Sequence, residues 1–306
     1  MTTVQILTKN NAKTIAKTLD SIQSLNANII VGDMGSKDRT IEICENYDAH
    51  VIRINDKDRS EGRNRLIDES PSGLKMMIEP WEVLAQGHQN IQEGYASILT
   101  GQVISKDVRF WNEGKFVNPT YERLESGADK ETGVLIYSIG TRDLKEDLRL
   151  IEIWKNKDPR IAAPYYYQAC CQLGLGDYDG FLKTAEHYLF LDKDSMSATM
   201  ARYYYAMVNL IHKKQARPVL QNINLCLCVR PLMAEFWCLM ADVYYHLLKK
   251  FHQAKDFYEN ALILGKRRLA TDKWPMDISK YGAYPKKMIE SCDKIIESHS
   301  TYSSGP

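Results

Sequence analysis

Asp33 ends the apolar run Ile29-Ile30-Val31-Gly32, Gly35 follows two residues later, and Ser36-Lys37-Asp38 leads into the helical pattern Thr40-Ile41-Glu42-Ile43-Cys44. A carboxylate there can accept hydrogen bonds from the hydroxyls or ring N–H groups of a ligand. The carboxyl ends of strands are where open α/β sheets bind ligands, so Asp33 suggests capture of a nucleotide-type ligand. The plainer alternative is a strand-end turn residue. Glu79 is a second acid of this kind. Residues 74–78 read as a strand, and Pro80 cannot sit inside a central one, so the chain leaves the sheet at Glu79-Pro80. Ser36 and Asp38 suit helix capping better than ligand contact. No G-K-[ST] follows Gly35, which excludes a phosphate-cradling P-loop.

The elements that must position these acids read as a regular alternation. Residues 4–8 form a short strand that stops at Lys9-Asn10-Asn11, and Ile15, Leu19 and Ile22 give residues 13–22 helical spacing. Strands follow at 28–33, 50–54 and 74–78, with helices at 41–47 and 61–67. Strand and helix alternating through short connections mean parallel strands in a doubly wound sheet. Residues 81–91 read as a helix, and 95–104, 108–111 and 134–139 read as strands. Asn112-Glu113-Gly114-Lys115 reads as a hairpin turn.

The whole chain has 306 residues, 44% hydrophobic and 26% charged, enough to bury a sizeable core and to make two domains. Forty basic and 39 acidic residues leave a net charge of +1, so no whole-molecule field steers the chain to nucleic acid or an anionic membrane. Seven cysteines without a C-x-x-C pair, mostly within apolar helical patterns, suit reduced, buried thiols better than a disulfide or zinc framework. The N-terminus runs straight into a strand without a signal-peptide core. No apolar run approaches the ~18 residues of a membrane span, and a cytoplasmic location is expected.

Several of these residues fall into an ordered set. Thr8-Lys9-Asn10 follows the first strand, D-M-G-S-K-D-R-T begins at Asp33, and Gly62-Arg63-Asn64 follows the third strand. Glu79 follows the fourth, and R-F-W-N-E-G-K-F over residues 109–116 precedes Tyr121-Glu122-Arg123-Leu124. Together they resemble family 2 glycosyltransferases of the GT-A fold, nearest to the lipopolysaccharide β-glucosyltransferase branch, which carries R-L-F-x-x-x-G-x-x-F and then H-E-x-L. The resemblance covers residues 3–125.

The resemblance implies that Thr8, Asn10 and Asp33, with Gly35 in the turn, line the pocket for the donor's base and ribose. It places Arg63 and Asn64 beside the donor, where Arg63 could balance diphosphate charge; a solvated helix start is the alternative. Arg59 is a weaker candidate of the same kind. Relatives end the fourth strand in D-A-D or D-A-D-E, whose carboxylates hold Mg²⁺ or Mn²⁺ against the diphosphate. Here the run is Glu79-Pro80-Trp81-Glu82, so either Glu79 holds the metal with help from elsewhere or the chain works without one. Trp81 either stacks on a sugar or base or belongs to the core. Glu122 aligns with the Glu of H-E-x-L and is the expected catalytic base for the acceptor hydroxyl; a solvated loop glutamate is the alternative. Met34 and Tyr121 replace an acid and a His of the relatives.

Past Asp143 helical patterns take over. Residues 144–154 form one amphipathic helix, and Tyr165, Tyr203 and Trp237 then recur 38 and 34 residues apart. That is close to the roughly 34-residue period of tetratricopeptide repeats, which the helical part resembles. Trp237, Ala241, Tyr244, Ala254, Tyr258 and Ala261 fit the large and small packing positions of that family. The expected organisation is a GT-A domain over residues 1–142, a helical repeat domain over 143–296 in which the stretch from Trp274 to Pro285 caps the last repeat, and a disordered tail over 297–306. This order is similar to that of an enzyme that glycosylates a bacteriocin peptide on cysteine, which implies a homodimer through the repeats and a protein acceptor. The expected function is transfer of a hexose from a nucleotide sugar, UDP-linked, to a saccharide, lipid-linked or protein acceptor, with inversion. The rival is a catalytically eroded sugar-nucleotide-binding or scaffold protein acting through its repeats.

Overall fold

The computed structural model describes residues 2–55, 58–86, 92–118, 120–121, 123–124, 131–268 and 272–302. Contacts divide the chain into two compact units, Met1–Lys157 and Asp158–Pro306.

The first unit opens with β1 (Thr3–Thr8), α1 (Ile15–Ile22), β2 (Asn28–Asp33), α2 (Thr40–Asn46), β3 (His50–Arg53), α3 (Arg59–Asp68) and β4 (Lys75–Met77). All six residues of β1 are buried, as a central strand covered on both faces requires. On one face Val4 and Ile6 pack with Ile15, Leu19 and Ile22 of α1 and with Val31. On the other, Leu7 packs with Ile30, Ile54 and Leu66 of α3. Gln5 points to that second face and donates to the Leu66 carbonyl at 3.0 Å. The alternation read from the sequence is thus a doubly wound βα layer, with β3, β2, β1 and β4 mutually parallel.

β5 (Glu82–Gln86), β6 (Gly94–Thr100), β7 (Val103–Trp111) and β10 (Glu131–Ser138) complete a mixed sheet in the order β3-β2-β1-β4-β7-β6-β10-β5. Two expectations are corrected here. Residues 82–86 are a strand and not part of a helix; 87–91 lie outside the described residues. Glu82 and Leu84 are buried while Val83 and Ala85 are half-buried, and β5 pairs antiparallel with β10 through Leu84 and Ile136. Tertiary pairing overrides the helix-forming composition of this segment. The long strand expected over 95–104 is two strands, joined at Gly101 with φ +59°. Asn112 to Lys115 does not close a hairpin, because β7 pairs with β4 and β6. Instead β8 (Phe116–Val117) pairs with β9 (Arg123–Leu124).

α4 (Leu144–Lys157) ends the first unit and buries Asp147, Leu150, Ile151 and Trp154. The break in contacts therefore falls after Lys157, later than the boundary expected at residue 142. Asp147 ties the helix down, accepting from Thr120 Oγ1 at 2.5 Å and from Arg142 Nε at 3.0 Å.

The second unit is made of antiparallel helix pairs: α5 (Ala163–Gly174) with α6 (Tyr178–Leu191), α7 (Met196–Val208) with α8 (Ala216–Val229), and α9 (Ala234–His246) with α10 (Phe251–Gly265). A π-helical turn, Asn209–Lys213, extends α7. Asp177 caps α6 by accepting from the Gly180 amide at 3.0 Å. Ala241, Ala254, Tyr258 and Ala261 are fully buried between α9 and α10, in the packing positions read from the sequence. α11 (Ala283–Tyr302) covers α10 through Met288, Ile289, Cys292 and Ile296. This amphipathic continuation carries the helix to Tyr302, so residues 297–302, expected to be disordered, are helical. Among the described residues no disulfide joins the cysteines. Burial pushes the Cys44 thiol up to about 12, whereas Cys228 is exposed.

Candidate functional site

The carboxyl ends of β1 to β4 share one rim. β1 is flanked by β2 on one side and β4 on the other, so the strand order reverses there. A cavity of about 260 Å³ opens at this point. Thr8, Lys9, Asn10 and Asn11 line it after β1, Met34 after β2, Arg59 at the start of α3 and Trp81 after β4. Arg142 and Asp143 close it from the segment leading into α4, and Glu146 from the first turn of that helix.

The loop after β1 is fixed by reciprocal bonds to the turn after β2. The Asn10 amide donates to Ser36 Oγ at 2.9 Å, and Asn10 Oδ1 accepts from the Lys37 amide at 2.7 Å. Asn10 holds φ +56°, a conformation asparagine tolerates better than most residues. Thr8 Oγ1 donates to Asn11 Oδ1 at 2.9 Å, and the Asn11 amide donates to Thr40 Oγ1 at 2.8 Å. Asp33 is buried, and its carboxylate accepts from the Gly35 amide at 3.2 Å and the Ser36 amide at 3.0 Å. Gly35 itself turns at φ +87°. Asp38 accepts from the amides of Ala12 and Thr40 and from Thr40 Oγ1. Asp33 and Asp38 thus stiffen the two loops that frame the cavity.

Of the residues singled out in the sequence, Thr8 and Asn10 line the cavity, with Arg59 and Trp81. Asp33, Gly35, Arg63, Asn64 and Glu79 lie around it without lining it. Asn64 spends both amide atoms on the backbone of Phe116, accepting at 2.7 Å and donating at 2.9 Å, which pins β8 to α3. Arg63 is wholly buried, pairs with Glu79 Oε1 at 2.5 Å and lies 5.8 Å from the centroid of Phe116. Glu122 lies outside the described residues. Its neighbour Tyr121, at φ +50°, sits under the Arg142 guanidinium, 4.5 Å from the ring centroid.

Glu79 and Glu82 form a buried ionic ladder. Arg63 meets Glu79 Oε1, the Glu79 amide donates to Glu82 Oε2 at 2.8 Å, and Arg109 meets Glu82 Oε1 at 2.8 Å. Burial pushes the Glu82 carboxyl up, with the Arg109 charge opposing and Glu79 adding to the rise. Of the four carboxylate oxygens of Glu79 and Glu82, Glu79 Oε2 is the one without a hydrogen bond among the described residues. A hard divalent cation takes about six or more oxygen ligands. Glu79 Oε2, beside the Arg63 guanidinium and with Trp81 at the second acid position, is the one oxygen this ladder would offer such an ion, water and diphosphate oxygens having to supply the rest. Among the described residues no group of three or more His, Cys, Asp or Glu side chains could hold one.

Sequence reasoning missed the far wall: Thr141, Arg142, Asp143 and Glu146. Asp143 accepts from the amides of Lys145 and Glu146, so its place before the amphipathic run was a legible helix cap. The position of Glu146 against Lys9 was not legible, since their 3.4 Å pair spans 137 residues.

The family model for glycosyl transferase family 2 matches residues 3–72. That stretch runs from β1 past α3 and includes Thr8, Asn10, Asp33, Gly35, Arg63 and Asn64, but stops before Glu79. A search of the curated proteins returned no match. Among solved structures, MamA 41-end from Desulfovibrio magneticus RS-1 is 17% identical with a TM-score of 0.38, over 53% of this chain and 88% of that one. The Sgt2 TPR domain from Aspergillus fumigatus is 12% identical with a TM-score of 0.36, over 47% and 85%. PcrH from Pseudomonas aeruginosa is 14% identical with a TM-score of 0.36, over 43% and 91%. Among the described residues no helix is long and apolar enough to cross a membrane.

Proposed function

We propose that the chain is a cytoplasmic glycosyltransferase that moves a hexose from a UDP-linked nucleotide sugar to a saccharide, lipid-linked or protein acceptor. The observation that carries this reading is the coincidence of the family 2 match with a cavity at the strand-order reversal, walled by loops after β1, β2 and β4. Open α/β sheets bind nucleotides at such points. Thr8, Asn10 and the Asp33 turn hold the base and ribose. Lys9, Arg59 and Arg142 present positive charge on the cavity wall to the diphosphate. Glu122 takes the proton of the acceptor hydroxyl as its oxygen attacks the anomeric carbon from the face opposite the departing nucleoside diphosphate, which inverts that centre. The helical unit serves a homodimer or a protein acceptor.

Release of UDP from UDP-hexose with an acceptor present tests the chemistry. Glu122→Gln should slow transfer by on the order of 10²-fold or more and leave donor affinity unchanged; equal turnover removes Glu122 from its role. A second reading, a sugar-nucleotide-binding protein without transfer, is favoured by Trp81 at the second acid position and by the closed Arg63–Glu79 pair. Donor binding without turnover on any acceptor would support that reading.

A further inference from the structure

A larger cavity, about 640 Å³, lies wholly within the helical unit. One face of α9 supplies Glu235, Leu239, Asp242 and His246, spaced four, three and four apart so that they form one stripe. The adjacent face, one residue round the helix, carries the small residues Ala234, Cys238 and Ala241 that pack on α10. Asp242 is only 8% exposed, yet both of its bonded partners, the hydroxyls of Tyr258 and Tyr284, donate to Oδ1, at 2.5 and 2.6 Å. Oδ2 takes no hydrogen bond from any described residue, and no described cation lies within ion-pair distance of Asp242. Glu235 differs, being met by the Tyr281 hydroxyl at 2.7 Å, the Asp277 amide at 2.8 Å and Arg268 at 3.6 Å.

A carboxylate buried without a counter-charge is costly, and a cation brought to it relieves that cost. The walls leading to Asp242 are aliphatic: Met207, Leu210, Leu239 and Leu247. Lys214 stands exposed at the mouth, and the half-buried Asp277 also lines the cavity. Lys280 is already seated over the Tyr284 ring, 3.3 Å from its centroid. A buried carboxylate beside apolar walls, with Lys214 exposed at the mouth, matches a group with a cationic tip, an aliphatic stem and a neutral or acidic surround. We infer that this cavity binds a lysine side chain of a peptide whose flanking residues are acidic, with the ammonium on Asp242 Oδ2. A free diamine has the same tip but would bring a second cation up to Lys214.

The test uses the full chain and a labelled, end-blocked pentapeptide, Asp-Leu-Lys-Leu-Asp, with its norleucine counterpart and cadaverine, followed by fluorescence anisotropy and competition. The lysine peptide should bind on the order of tenfold or more tighter than the norleucine peptide. Asp242→Asn keeps an oxygen to accept from the two tyrosines and should erase that difference. Lys214→Glu, at the exposed rim, should weaken the acidic peptide and strengthen cadaverine. Equal binding of the lysine and norleucine peptides, no binding of either, cadaverine binding more tightly than the peptide, or an unchanged preference in a folded Asp242→Asn protein would each overturn the proposal.

Discussion

Glu79 and Glu82 are two carboxylates three residues apart with different fates, set by their neighbours. Glu79 faces Arg63 and keeps one oxygen unbonded among the described residues, whereas Glu82 spends both oxygens on Arg109 and the Glu79 amide. Because burial raises Glu82 above its ordinary value of 4.5, the folded protein holds that proton more tightly than the unfolded chain. Its contribution to stability is therefore full below about pH 4.5 and is lost as pH rises through the raised folded value. Urea denaturation across pH 4 to 8 should show a decline in the wild type that Glu82→Gln lacks; parallel curves would contradict the assignment. Residue types were legible in the sequence here, but partners were not. Asp33 was recognisable as an acid at a strand end, while its bonds to the Gly35 and Ser36 amides, and the use of Asn64 to hold Phe116, depend on loop geometry.

Among the elements, the βα alternation through β4 was legible because period and punctuation agreed. Beyond it the composition misled. β5 carries helix-forming residues, and only its pairing with β10 makes it a strand. That pairing places Trp81, whose carbonyl accepts from the Ile139 amide at 2.8 Å, on the cavity wall. Gly140 makes the approach possible, since a Cβ there would stand 2.8 Å from Trp81 Cβ. Gly140→Ala should therefore push Trp81 into the cavity and cost roughly 1–3 kcal/mol of stability, as overpacking does. Chemical denaturation measures the cost, and an unchanged midpoint would show that the strand end yields freely. In the helical unit, Ala241, Ala254, Tyr258 and Ala261 were readable as packing residues, because small and large side chains alternate where paired helices meet. The stripe Glu235, Leu239, Asp242 and His246 on the neighbouring face of α9 carries no such signal. Its meaning comes from a cavity assembled with residues up to Tyr284.

The molecule as a whole joins a mixed-sheet unit, Met1–Lys157, to a unit of helix pairs, Asp158–Pro306. The change from strands to helices was visible in the sequence near Asp143, but contacts assign α4 to the first unit because Asp147, Leu150 and Trp154 are buried there. The central claim is that the first unit binds a nucleoside diphosphate at the reversal of strand order. A ligand at 100 times its Kd adds about 2.7 kcal/mol to stability, which a melting curve resolves. The most direct measurement is calorimetric titration of the full chain with UDP, alongside the other nucleoside diphosphates and the Asp33→Asn protein, which keeps an oxygen for the turn amides. Saturable binding of UDP without added metal, weakened in Asp33→Asn, is the predicted result. Absence of binding by every nucleoside diphosphate at millimolar concentration would contradict it.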